Sequence, residues 1–324
     1  HVAMGCCTNF LDFCLRTGVS DLLRRHKTLH FFGPNGRRSD FTPSAWLPAP
    51  LHLVGPLCSL KYLSWRDKRG IARAMRALAR GQESVARGQE PGDSMIQWLK
   101  QQRQTPAAIE RFWKVVLVSA LADSLDRVSL AAARKVFVDG FMAHRDAADV
   151  LVSAVSLGEL YDERVVGWLR EHGAQIHLES PVEEVTAEPT GGASVRVASH
   201  ALPFDFVIVA VPWHRLGKLL SPTLRAIVDP GDAFGAIESA PISSVHLWFD
   251  QQLTDLPHAI FVGRLSQWMF ARDLNCQSNE HYYQVVISGS HDLAGRARQS
   301  VVDEVLGDLV VAFPQAKIAH LLRW

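Results

Sequence analysis

The sequence predicts an α/β protein that combines a parallel-type sheet with a helical region and an antiparallel sheet. Residues 206–211, FVIVAV, are apolar without alternation, which is typical of a strand covered on both faces. Upstream, Ser156 and Glu159 have the spacing of a capping box and predict a helix that continues to Gly173. Residues 175–178 and 182–187 are then predicted as strands, so helix and strand alternate as in a doubly wound sheet.

The last third of the chain predicts the antiparallel sheet. Val245, Leu247 and Phe249 alternate with polar or aromatic neighbours, as expected for a strand with one buried face. Further short strands are predicted over residues 259–262, 266–271 and 282–288, and helices over residues 215–220, 222–228 and 301–313. A region rich in antiparallel strands therefore follows the helix–strand alternation.

Composition excludes several classes of protein. The chain has 324 residues, enough for two intimately joined domains, and its 34 Lys plus Arg against 33 Asp plus Glu favour neither nucleic acid nor an acidic partner. No run approaches the roughly 18 apolar residues of a membrane-spanning helix. The five cysteines form no C-x-x-C pair, and no secretory signal is visible, which predicts a reduced, cytoplasmic compartment. His26 and His30 lack a third ligand candidate, so no metal site is predicted.

The first 122 residues predict mainly helices. An extended start precedes a helix that ends near Gly18, with Thr8 or Asn9 as its N-cap. Residues 29–41 have the pattern of a hairpin, and residues 94–99 that of a short helix. Thr105 and Pro106 form an N-cap and N1 pair for a helix over residues 105–122, whose Phe112, Val115 and Val116 give an almost wholly apolar face.

An apolar segment beside a basic helix admits two interpretations. Residues 46–60 are apolar but broken by three prolines, and residues 66–80 predict an amphipathic helix with Arg69, Arg73, Arg76 and Arg80 in one stripe. Such a pair suits a surface that dips into anionic lipid headgroups. It equally suits a solvated helix face next to a core loop.

Residues 173–212 resemble the second half of the FAD-binding domain in the amine oxidase and phytoene desaturase superfamily. The match consists of Gly173, Ile176 and Leu178 followed by Val182 and Val185, and then of the ending Ala210-Val211-Pro212. The resemblance implies that the backbone of Val182 meets the adenine part of FAD and that Val211 and Pro212 run beside the cofactor. An ordinary α/β core without a ligand is the competing interpretation.

Two further segments resemble a narrower family, the hydroxysqualene dehydroxylases or squalene-associated FAD-dependent desaturases. These are residues 1–5, HVAMG, and residues 241–268, which include Trp248, Arg264 and Trp268. The resemblance implies that Val2, Met4 and Gly5 pass near the flavin, and that the other three side chains line the substrate cavity, with fold support as the commoner role. It implies a bacterial enzyme of squalene (hopanoid or carotenoid precursor) synthesis that reduces hydroxysqualene to squalene by hydride transfer from reduced FAD.

The same resemblance implies a domain organisation. An incomplete FAD-binding, Rossmann-like domain of the glutathione-reductase type would comprise residues 1–28 and 153–215. A mostly helical substrate domain would cover residues 29–152, and residues 216–324 would add its antiparallel sheet and final helices. The chain begins at His1, ends on an apolar run and contains no G-x-G-x-x-G after a strand, so a fragment lacking both ends is expected.

The chemistry leaves alternatives open. A proton donor is needed near the flavin, and His1, His246 and His258 are candidates by titration range alone. A carotenoid desaturase of the same fold would move the hydride in the opposite direction, and a non-catalytic lipid-binding remnant belongs to another class altogether. The expected partner is a long-chain isoprenoid lipid, with peripheral contact at the inner face of the cytoplasmic membrane and no nucleic acid.

Overall fold

The computed structural model describes residues 2–81, 94–189, 191–272 and 280–324. The strands are β1 Val2–Met4, β2 Leu23–His26, β3 Leu29–Phe32, β4 Arg38–Phe41, β5 Val150–Ser153, β6 Val182–Ala187, β7 Ala193–Val197, β8 His200–Phe204, β9 Ile242–Phe249, β10 His258–Phe261, β11 Trp268–Arg272, β12 His281–Ser288 and β13 Leu321–Arg323. The α-helices are α1 Thr8–Arg16, α2 Val54–Ser59, α3 Trp65–Arg80, α4 Met95–Gln101, α5 Pro106–Ala108, α6 Lys114–Leu121, α7 Leu130–Arg134, α8 Val166–Glu171, α9 Trp213–Leu219, α10 Pro222–Val228 and α11 Arg298–Ala312.

Shorter helical segments join these elements. Segments with π-helical hydrogen bonding cover Ile109–Trp113, Lys135–Phe141 and Gly158–Val165, and 3₁₀ turns cover Ser20–Leu22, Leu51–Leu53, Ala233–Ala236, Ser290–Leu293 and Pro314–Lys317. Helices α5 and α6 are continuous through the first π segment, as the sequence predicts for residues 105–122. The Thr105 hydroxyl accepts from the N–H of Ala108, which confirms it as the N-cap.

The chain forms two compact units, each with its own sheets. The larger unit contains His1–Val165 and Ala240–Trp324, and the smaller contains Val166–Ser239. These units divide the chain differently from the four predicted domain segments. Compactness does not test which segments contact a cofactor, so that division stays a prediction.

The larger unit has a three-stranded and a seven-stranded sheet. The first has the order β1-β5-β2 and is antiparallel. The second has the order β13-β9-β12-β11-β10-β3-β4, with only β10 and β3 parallel to each other. The alternation of Val245, Leu247 and Phe249 is confirmed, because all three are buried in β9.

The seven-stranded sheet separates two hydrophobic clusters. One face carries Phe31 and Ile260 and packs against the helices around Trp113. The other carries Phe261 with other apolar side chains and packs against α11. Period-two alternation along β3 and β10 sends neighbouring side chains to opposite faces, so both faces of these central strands are buried.

The smaller unit contains the antiparallel sheet β6-β7-β8 and helices α8, α9 and α10. Strand β6 confirms the prediction for residues 182–187. The predictions of strands over residues 175–178 and 206–211 are wrong, because neither segment is a strand and Phe206 and Ile208 are 92% and 93% exposed. A strand covered on both faces needs pairing neighbours, and no strand in the described ranges pairs with residues 206–211.

Candidate functional site

The larger unit encloses an apolar cavity of about 340 Å³ on the first face of the seven-stranded sheet. Its walls come from β3, the segment 50–57, α3, the helix 106–121 and the segment 137–148. They are Leu29, Phe31, Phe41, Pro50, Leu51, Leu53, Val54, Leu57, Leu60, Tyr62, Ile71, Ala72, Met75, Arg76, Ala79, Arg111, Phe112, Val115, Val116, Phe137, Phe141, Met142 and Ala148. The volume lies within the range of roughly 300–1,000 Å³ typical of ligand pockets.

Three of the lining residues carry polar groups. Arg111 donates from Nη1 to the backbone oxygen of Tyr62 at 3.2 Å, which fixes one guanidinium against the wall. A tyrosine phenol is neutral at physiological pH, and burial raises the pKa of Tyr62 further above that range. Arg76 is the third lining residue with a polar group. The cavity therefore has a long apolar surface and few polar groups, an arrangement that suits an apolar chain bearing a single polar substituent.

The walls of this cavity are held by a network at the start of α3. Ser64 caps the helix and forms a capping box with Asp67, and the Thr105 hydroxyl donates to the same carboxylate. Burial opposes ionisation of Asp67, but the hydrogen bonds from Ser64 and Thr105 outweigh it and hold its pKa below the usual range. The first turn of α3 is thereby tied to the N-cap of α5.

A polar and aromatic row lies on the same face of the seven-stranded sheet, toward β9. The register places Tyr282 opposite Trp248 and Gln284 opposite His246, so these four side chains share one face. His246 Nδ1 lies 2.6 Å from the Tyr282 hydroxyl, and the Arg323 guanidinium lies 4.5 Å from the centre of the Trp248 ring. His246 is exposed, whereas Trp248 is half-buried.

Three histidines meet on strands β2, β3 and β10. The ring centre of His258 lies 5.2 Å from that of His30 and 5.7 Å from that of His26. His258 is fully buried and neither ring nitrogen makes a hydrogen bond of ordinary geometry. Burial first, and then the neighbouring His30 and His26, lower its pKa to about 4. In the described ranges, no group of three or more His, Cys, Asp or Glu side chains could hold a metal ion.

The three predicted substrate contacts lie outside the cavity wall. Trp268 packs against His258 at 5.9 Å between ring centres, and Trp248 belongs to the polar row. Arg264 pairs with Asp308 at 3.1 Å and donates to the backbone oxygen of Pro34 at 2.7 Å, and these contacts support the fold. A substrate role for all three side chains stays a prediction.

The predicted flavin contacts near the N-terminus belong to β1. Val2 and Met4 pair with strand β5, and the N–H of Gly5 donates to the backbone oxygen of Asp149 at 2.8 Å. A Cβ on Gly5 would overlap the backbone oxygen of Asp146, so close packing within the larger unit is enough to require glycine here. His1 lies outside the described residues, so its proposed protonation role stays a prediction.

The other predicted flavin contacts lie in the smaller unit. Val182 begins β6 and is 40% exposed, Val211 is 38% exposed, and Pro212 is the N-cap of α9. These exposed apolar positions fit contact with a flat ring. The described residues contain no glycine-rich turn between a strand and a helix, which is the usual cradle of a dinucleotide pyrophosphate. Flavin contact at Val182, Val211 and Pro212 stays a prediction.

The fold defines the class of protein. Putrescine oxidase, wild type bound to putrescine, superimposes with a TM-score of 0.66 at 12% identity over 99% of this chain and 72% of that chain. An oxidoreductase from Methanosarcina mazei superimposes with a TM-score of 0.68 at 15% identity and the same coverage. The chain thus has the α/β fold of flavin-dependent amine oxidases.

Sequence comparison gives the family. The profile of the family described as "Flavin containing amine oxidoreductase" matches residues 8–323, so the chain belongs to that family. It is 20% identical to a 15-cis-phytoene desaturase, chloroplastic/chromoplastic, of Solanum lycopersicum and 22% identical to a 15-cis-phytoene desaturase of Synechococcus elongatus. Each match covers 97% of this chain, which spans 55% of the first relative's length and 69% of the second's.

Sequence reasoning found only part of the cavity. It identified Phe112, Val115 and Val116 as an apolar face and Arg76 within a basic stripe. It missed Tyr62, because only the tertiary packing brings this residue to the cavity. The signal that could have pointed to it is a tyrosine between an apolar segment and an amphipathic helix.

Proposed function

We propose that the chain forms the substrate-binding part of an FAD-dependent oxidoreductase that acts on a long isoprenoid, and that it reduces hydroxysqualene to squalene. The observation that carries this proposal is the apolar cavity of about 340 Å³ in the larger unit. Burial of a hydrocarbon chain there would gain roughly 0.8 kcal/mol per methylene-sized group. Membership of a flavin-containing family supports the redox chemistry, and the segments 1–5 and 241–268 support the choice of hydroxysqualene.

The residues of this chain would bind and orient the substrate. The apolar side chains of the cavity wall, among them Phe31 and Val116, would hold the hydrocarbon and exclude water. Tyr62 is the one lining residue with a hydroxyl group, and its protonated phenol could donate a hydrogen bond to the substrate hydroxyl. A reduced flavin, when bound, supplies the hydride for the reduction.

A carotenoid desaturase is the second candidate function. The observation that favours it is the likeness to two proteins named 15-cis-phytoene desaturase, at 20% and 22% identity. A desaturase would use the same apolar cavity but would oxidise its substrate. It would therefore need oxidised flavin and no hydrogen-bond donor for a hydroxyl.

Product analysis separates these functions. Purified protein supplied with FAD is incubated anaerobically, in reduced form with hydroxysqualene and in oxidised form with phytoene, and the extracts are analysed by mass spectrometry. Squalene from the first reaction supports the proposal, and desaturated products from the second alone support the carotenoid alternative. Binding of FAD and of both lipids without turnover of either lipid would identify a lipid-binding protein and refute both enzymatic functions.

A further inference from the structure

One face of α3 presents a row of exposed arginines. They are Arg66, Arg69, Arg73, Arg76 and Arg80, spaced by three and four residues so that they share one side of the helix. Four of them line a single depression together with Ala72. Within the described ranges none of the five forms an ion pair, and the only acid of the helix, Asp67, is buried. Among the residues that the structure describes, this face therefore carries positive charge that no ion pair compensates.

An exposed apolar segment precedes this helix. Trp46 is 92% exposed, and Leu47, Leu51 and Val54 are 42%, 52% and 54% exposed. Four large apolar side chains within nine residues are thus exposed to water, and exposed apolar side chains that lie together mark sites of contact with proteins or membranes. Tryptophan and leucine beside arginine are the side chains found where proteins rest in the headgroup region of a bilayer.

The two features meet at the opening of the apolar cavity. Leu51, Val54 and Arg76 are exposed and also line the cavity, so the cavity reaches the surface among them. A lipid that entered between these side chains would pass directly from the apolar interior of a bilayer into the apolar cavity. No helix in the part of the chain that the structure describes is long and apolar enough to cross a membrane.

We propose that this face, formed by residues 46–54 and the arginine row of α3, docks on a bilayer that contains anionic lipid, and that docking places the opening of the cavity against the lipid. The positive charge of the arginine row identifies the partner as an anionic surface. The chain as a whole has a net charge of only +1, so this positive charge is a local feature of the row. The apolar segment enters the headgroup region while the arginines contact lipid phosphates. The identity of the substrate as an isoprenoid rests on the proposed function, but the docking of this face on a bilayer does not depend on it.

Vesicle flotation tests the docking. The purified protein is mixed with vesicles of phosphatidylcholine alone or of phosphatidylcholine with phosphatidylglycerol, and the bound fraction is measured at low and high salt. We expect binding to the anionic vesicles, lost at about 1 M salt because the screening length falls to about 3 Å. The triple variant Arg66→Gln, Arg69→Gln, Arg73→Gln should bind roughly 100-fold more weakly, about fivefold per arginine.

Two further variants sharpen the test. The matched control Arg37→Gln, Arg164→Gln, Arg298→Gln removes the same charge from exposed positions in other elements and should retain binding. The double variant Trp46→Ser, Leu47→Ser should weaken binding without loss of stability, because both side chains are exposed. Circular dichroism confirms that each variant is folded.

The outcomes separate this proposal from the proposed function. Equal binding by the two triple variants, equal binding to neutral and anionic vesicles, or binding of soluble glycerol phosphate without vesicles would overturn the docking surface. Turnover of detergent-solubilised substrate by the Arg66, Arg69, Arg73 variant, together with failure on substrate held in vesicles, would support docking and catalysis together. Arginine-dependent vesicle binding without turnover by any form would support docking and refute only the proposed function.

Discussion

The buried imidazole of His258 should make the stability of the protein depend on pH. Burial lowers its pKa from 6.5 to about 4, so between these values the unfolded chain binds a proton at this site and the folded chain does not. Stability therefore falls as the pH decreases below 6.5, and the loss is complete near pH 4. At about 1.4 kcal/mol per pKa unit the full effect is about 3 kcal/mol.

Replacement by leucine isolates this contribution. His258→Leu removes an imidazole that makes no well-formed hydrogen bond, so at about pH 7.5 the variant should be as stable as the wild type or more so. At about pH 5 the wild type should have lost about 2 kcal/mol that the variant retains. His52, whose pKa burial also lowers, titrates in both proteins and cancels in the comparison. His26 lies 5.7 Å from His258 between ring centres, so the measured difference includes the interaction of this pair.

Urea unfolding at the two pH values measures the effect. The difference in unfolding free energy between His258→Leu and wild type should grow by about 2 kcal/mol in favour of the variant as the pH falls. His320→Gln, which removes an exposed imidazole, is the matched control. A difference that is the same at both pH values would show that His258 is protonated in the folded protein and would refute the reasoning.

Three further changes test other parts of the structure. Asp308→Ala leaves the partly buried Arg264 guanidinium unpaired and should lower the unfolding free energy by about 3 kcal/mol in urea titration, whereas a loss below about 0.5 kcal/mol would contradict the pairing. Tyr62→Phe should raise the KM for hydroxysqualene by roughly tenfold and leave the affinity for squalene unchanged; equal effects on both lipids would exclude the hydrogen bond. Gly5→Ala forces a Cβ onto the backbone oxygen of Asp146 and should destabilise the protein by about 3 kcal/mol in thermal unfolding, and an unchanged melting temperature would show that the chain relaxes there.

Local features of the fold could be predicted because their causes are local. Thr105 and Pro106 begin a helix through their own hydrogen bond and backbone angle, and β9 follows from its period-two alternation. The N-cap of α1 was missed because Cys7 occupies that position without a side-chain hydrogen bond. The prediction of a buried strand over residues 206–211 was wrong for a different reason, because the burial of a strand depends on neighbouring strands that a local pattern does not contain.

The candidate site depended on distant contacts. The parallel pairing of β3 with β10 brings His258 beside His30, and residues 228 positions apart carry no joint signal in the sequence. The cavity likewise combines Phe31 of the sheet with Met75 of α3 and Val116 of the following helix. The sequence predicts a hairpin, an amphipathic helix and an apolar helix for these segments, but only packing decides which of their apolar side chains leave a space between them.

The most direct test of the central claim, that the cavity of the larger unit binds the isoprenoid, is equilibrium binding of radiolabelled squalene to the purified protein in detergent. Val116→Trp fills part of the cavity and should weaken binding by at least about tenfold, and Ala79→Leu should act in the same direction with less perturbation of the fold. Val228→Trp, at a position that is 51% exposed in the smaller unit, should leave the affinity unchanged. Equal squalene affinity in the wild type, Val116→Trp and Val228→Trp would contradict the account, because the lipid would then bind elsewhere.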